Sequence, residues 1–269
     1  MIDKIINKRK LFYDRNNAFI LCEYTKELNL LKRLINVAEE GFEKQEVIND
    51  WSYEGVCRSF AKTILDYSKA AYDNIILGHF AAVNMINRAI LENCVFLDII
   101  VNSEYEDIWK YYLVYSYREY IHKSVEELRE KDKNYIQHLY EEYHIDEDFY
   151  IKQEGYKKPF IDMPYGWTYK INKTFSFSGI CKLVDEAEYL GFKLMSEYSH
   201  STSMLAKSRA LISAEPTMGM FISLYIELYR MVTMYCWGTV DDSFDDLAEK
   251  LENIFYRFID YEESVFDKY

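Results

Sequence analysis

A chain of 269 residues with 29% charged and 49% hydrophobic residues is too apolar to be a disordered polyelectrolyte. Its 32 basic residues against 45 acidic ones leave a net charge of −13, which argues against a basic duplex-binding face. Only 3 prolines and 9 glycines interrupt it, so a many-turned β fold is disfavoured and long helices are expected.

At this length folding removes roughly 70–75% of the unfolded surface from water, so no disulfide or metal is required for stability. The five cysteines, Cys22, Cys57, Cys94, Cys181 and Cys236, are scattered without a CxxC pair. They read as reduced thiols of a cytoplasmic protein, and the first residues lack a signal-peptide apolar run. The 26 tyrosines and 16 phenylalanines suit boundary positions, and the plentiful Ile, Lys and Asn suggest a low-GC coding bias.

In chain order, residues 1–19 are polar and basic and predict a short arm or helix. Leu28, Leu31, Leu34, Ile35 and Ala38 recur at helical spacing from about Glu23 to Glu40, with Gly41 as an expected stop. Val56, Phe60, Ile64, Tyr67, Ala71 and Ile75 form one helical face over Tyr53–Leu77. After Gly78, the run His79–Val101 is apolar on most sides and predicts the central, buried helix. Ser103 is a candidate N-cap for a long helix to about Lys131, followed by a further piece at about 133–143.

Residues 146–175 carry Pro159, Pro164, Gly155, Gly166 and Trp167 and read as an irregular cap loop. Ser176 or Ser178 then begins a helix expected to continue through His200. Pro216 marks another helix start, and that helix runs to Trp237. Thr217–Trp237 is the strongest membrane-span candidate, but Glu227 and Arg230 in its middle make it a buried core helix. The last helix begins at Asp241 or Asp242, where acidic residues favour a helix N-terminus. The expectation is one all-α domain, a bundle of about seven to nine helices. It divides into an arm and helix (1–52), central helices (53–145), the cap loop (146–175) and C-terminal helices (176–269).

Two patterns could carry chemistry. Arg88 and Glu92 are four apart and share a helix face, and Phe192, Ser196 and His200 are likewise spaced by four. Buried without partners these groups are costly, so they should meet each other or a ligand. The run Leu77–Ile100 with Arg88-x3-Glu92 resembles the central helix of an uncharacterised bacterial family known as a domain of unknown function. In that family a tryptophan in an irregular segment and a Tyr-x3-Ser-x3-His helix follow. Here these are Trp167 and Phe192–Ser196–His200, with phenylalanine in the tyrosine place, over roughly residues 55–205. Ser201 departs from the glycine or proline often found after that histidine.

The family is similar in helical organisation to HEPN domains, many of them metal-independent ribonucleases or toxins of bacterial and phage defence. The HEPN arginine and histidine are separated by four to six residues, whereas Arg118 and His122 have only three between them. The plainer reading of Arg118 and His122 is a solvated helix face.

Three readings of the cluster follow. In one, Arg88, Glu92, Ser196 and His200 form a satisfied structural network, the commonest fate of buried polar clusters. In another, the same residues under a Trp167 roof bind a nucleotide or small acidic ligand. In the third, His200 is the general acid or base, Arg88 stabilises phosphate charge and Glu92 orients them, as RNA cleavage requires. No metal site and no cofactor is expected: Glu92, Glu197 and His200 offer ligand types without the paired Glu-x-x-His of di-iron bundles. His79 reads as a local cap, His138 and His144 as surface. Duplex DNA and membranes are not expected partners, while a basic protein partner and a homodimer stay open.

Overall fold

The computed structural model describes residues 25–43 and 51–185 except Gly78, Ser103, Glu106, Ser124 and Val125, together with seven isolated positions from Tyr189 to Asp260. All regular elements among the described residues are helical, so the molecule is an all-α bundle. The helices are α1 (Thr25–Glu43), α2 (Tyr53–Ile76), α3 (Phe80–Asn102), α4 (Ile108–Lys123), α5 (Glu126–Glu142), α6 (Glu147–Tyr150) and α7 (Phe177–Val184). Two 3₁₀ turns, Phe160–Asp162 and Gly166–Thr168, lie between α6 and α7. None of the described helices is long and apolar enough to cross a membrane. The Thr217–Trp237 candidate lies outside the described residues.

Helix α2 starts where Ser52 accepts a hydrogen bond from the Gly55 amide at 3.1 Å, a cap that stabilises a helix by about 1 kcal/mol. Its buried face is Val56, Phe60, Ile64, Ala71 and Ile75, as the spacing predicts, with Ser68 buried instead of the expected Tyr67, which is exposed. Helix α3 packs along α2, and these two helices form the main packing pair. The His79 carbonyl accepts from the Ala82 and Val83 amides, so His79 does cap α3. Val83, Ile90, Leu91, Cys94, Val95 and Leu97 make α3 the central helix. Helix α1 packs on α2. It runs through the buried Gly41 to Glu43, so that glycine does not stop it. Cys57, Cys94 and Cys181 are buried free thiols, and burial pushes Cys57 up to about 12.

The stretch expected to run to Lys131 is described as α4 up to Lys123 and as α5 from Glu126, which takes in most of the piece expected at 133–143. The helix begun by Ser176, whose hydroxyl accepts from the Gly179 amide at 3.2 Å, ends at Val184. Asp185 is extended there (φ −160, ψ 147), and helical geometry returns at Tyr189 and Lys193.

The 146–175 segment is a folded aromatic plug, not a loose cap. Trp167, only 1% exposed, meets Phe96 edge-on at 5.5 Å and Tyr112 at 5.2 Å. Phe149, Tyr169, Phe160 and Phe175 stack in series at 5.5, 4.8 and 5.5 Å. One stripe of α4 holds this plug. The Tyr111 hydroxyl accepts from the Asp146 amide at 3.4 Å and the Tyr115 hydroxyl from the Tyr165 amide at 3.2 Å. Arg118 donates to Asp162 at 3.3 Å.

Gly166 is where the plug leaves no room. A Cβ there would lie 1.7 Å from the Phe160 carbonyl oxygen, a backbone atom that cannot rotate away. Gly166→Ala is therefore expected to destabilise the protein by roughly 2–4 kcal/mol, lowering the melting temperature by about 5–15 °C in a calorimetric scan.

Candidate functional site

Arg88 and Glu92 do pair: Arg88 Nε donates to Glu92 Oε1 at 3.0 Å, one turn apart on α3. Their side chains are 24% and 30% exposed, so the pair sits at the edge of the core. Tyr165 of the plug is its neighbour. Burial raises the Tyr165 phenol above its ordinary value, Glu92 adds to this, and Arg88 opposes it. Ser196 and His200 lie outside the described residues, as does the side chain of His122. Trp167 is buried in the core against Phe96 and Tyr112. Arg118 is bound to Asp162, so it is not part of a freely solvated face. His138 and His144 are exposed, as expected. Among the described residues no group of three or more metal-ligating side chains is found.

The groove best built for a ligand lies elsewhere, between α2 and α4, with a volume of about 480 Å³. Its α2 wall is Gly55, Ser59 and Lys62, one helical stripe, with Arg58 and Val56 beside it. The α4 wall is Tyr112, Leu113, Ser116 and Tyr117, beside the stripe that grips the plug, and Tyr112 also packs on Trp167. Trp51 also lines it. Its carbonyl accepts from the Tyr143 hydroxyl at 3.0 Å, and its ring is braced edge-on by Tyr117 at 5.7 Å and Tyr135 at 6.0 Å. Burial raises the Tyr112 phenol, and its hydrogen bond with Ser116 partly offsets that.

Among the described residues no carboxylate lines this groove, although the chain carries −13 overall. Lys62 reaches Asp66 at 3.9 Å on the solvent side, an exposed pair of the kind that contributes about 0–1 kcal/mol and yields readily to a better anion. Two further cavities, about 300 and 630 Å³, have the opposite character. Asp98, Glu104 and Asp107 line them, and the one cation among their described lining residues, Lys170, is engaged by Asp146.

Lys170 also lies 5.1 Å from the Tyr111 ring centre, and the Tyr169 hydroxyl donates to Asp146 at 3.1 Å. The hydrogen bond from Lys170 holds the Asp146 carboxyl below its ordinary value, against a smaller opposing effect of partial burial. A lowered carboxylate value means that its stabilisation is present above about pH 4 and is lost as pH falls through the folded value.

The groove residues escape sequence reading because Ser59 and Lys62 look like a solvated helix face. The available signal was Gly55, Ser59 and Lys62 at one helical spacing, opposite an α4 whose aromatic run is interrupted by Ser116.

Asp146→Asn is expected to lower the melting temperature at pH 7 and to flatten its decline between about pH 5 and 3, measured against wild type in parallel scans. An unchanged decline would show that the Asp146–Lys170 contact does not tie the plug. No protein-family model, curated protein or solved structure matches this chain.

Proposed function

We propose that the protein is a binding module for a small acidic ligand, held in the groove between α2 and α4. The supporting observation is a pocket whose described lining holds Arg58, Lys62, Ser59 and Ser116 and no carboxylate, in a chain of net charge −13. A local positive patch inside a negative field selects compact anions and repels extended ones. Arg58 offers a planar fork suited to phosphate or carboxylate, Lys62 a mobile point charge, and the serines orient neutral oxygens.

The ligand class is the one the Arg88 cluster suggested, but the seat is different. Arg88 Nε is already engaged by Glu92, and Trp167 is buried in the core. A ribonuclease using Arg88, Glu92 and His200 is the competing reading, and substitution separates the two.

Inorganic pyrophosphate at about ten times its dissociation constant should stabilise the protein by about 1.4 kcal/mol, a rise of about 3–5 °C in melting temperature. Arg58→Ala with Lys62→Ala should abolish that rise, and Arg88→Ala should leave it intact. A rise that survives the double substitution and disappears in Arg88→Ala would move the site to α3.

A further inference from the structure

We infer that the first turn of α7 is a seat for a compact tetrahedral oxyanion, phosphate or sulfate, held by Asn172, Ser176 and Ser178. This site is separate from the groove between α2 and α4 and does not depend on it.

The Asn172 side chain carries the inference. Asn172 is only 7% exposed, and its Nδ2 is a buried donor with no hydrogen-bond partner. A buried donor left so costs roughly 1–3 kcal/mol, and in folded proteins such a group commonly marks the place of an ion or a bound water. Turning the amide over would not help, because Oδ1 accepts from the Thr174 amide at 3.0 Å and from the Thr174 hydroxyl at 2.9 Å. Nδ2 is thereby aimed at the helix. It lies 3.1 Å from the point a Cβ on Gly179, the third residue of α7, would take.

The first turn supplies the other donors. An α-helix N-terminus carries partial positive charge and amide groups directed at an incoming anion. Ser176 caps α7 by accepting from the Gly179 amide at 3.2 Å, which engages the oxygen of that hydroxyl but not its proton. The Ser176 and Ser178 oxygens are 3.4 Å apart, close enough to donate to one small anion. Residues 171–184 contain no carboxylate in a chain of net charge −13, and Lys173 among them is exposed.

Thr174 is the movable part. It is exposed, and its Oγ1 occupies the space that a side chain on Gly179 would fill. Turning that hydroxyl outward uncovers Nδ2 and leaves room for one ligand oxygen beside a residue that has no Cβ. The Thr174 amide keeps Oδ1 in place meanwhile.

The test is titration calorimetry of sodium phosphate and sodium sulfate into the full chain, with ionic strength held constant by chloride. The parent protein is the Arg58→Ala, Lys62→Ala variant, so that anion binding in the groove does not contribute. Saturable binding of either anion is expected. Asn172→Asp keeps the acceptor for Thr174 and replaces the donor with a charge, so it should weaken that binding about tenfold or more. Ser178→Ala leaves the Asn172 contacts intact, which guards against a folding defect, and should weaken it by about threefold to tenfold. The bound anion should also slow hydrogen exchange in residues 176–180. No saturable binding of either anion would overturn the inference, as would an Asn172→Asp affinity within about twofold of its parent. Exchange slowed only outside 176–180 would overturn it too.

Discussion

The structure depends on α4 being used on two sides at once. One stripe, Tyr111, Tyr115 and Arg118, grips the 146–175 segment through hydrogen bonds to Asp146, Tyr165 and Asp162. Next to that stripe, Tyr112 packs on Trp167, whose burial alone contributes about 4–6 kcal/mol from the area an indole removes from water. The close approach of Gly166 to Phe160 and the stacked rings of Phe149, Tyr169, Phe160 and Phe175 follow from that docking. With the plug fixed on one side, the Leu113–Ser116–Tyr117 side of α4 is left to face α2 across the groove.

Electrostatics then separates the surfaces. The described cavities divide by the sign of what lines them: Arg58 and Lys62 in the α2–α4 groove, and Asp98, Glu104 and Asp107 around Lys170. Net charge describes the molecule at a distance, but within a few ångströms of Arg58 the nearest charges decide. An acidic protein can therefore hold an anion, provided that the anion is short enough to stay inside the local patch.

The helical fold was legible because period and punctuation agreed over α2 and α3: Ser52, the Val56-to-Ile75 face and the apolar run after Gly78 all point one way. Single breakers misled. Gly41 is tolerated within α1 because tertiary packing buries it, and the end of α7 at Asp185 carries no proline or glycine to announce it. Trp167 invited a functional reading because it sits among prolines and glycines, whereas its partners Phe96 and Tyr112 lie on distant helices. The Arg88–Glu92 pair was readable as an i, i+4 contact, and it formed. Its convergence with Ser196 and His200 involves residues outside those described. The groove was not readable, since it exists only once Lys62 and Tyr117 are brought across from each other by packing.

The central claim is that one face of α4 and one face of α2 together form the ligand seat, while the plug side of α4 serves the fold. Hydrogen exchange with and without saturating inorganic pyrophosphate measures this directly. The account predicts added protection concentrated in residues 51–62 and 112–117. Protection concentrated instead around Arg88 and Glu92, or around Asp98–Asp107 and Lys170, would contradict it.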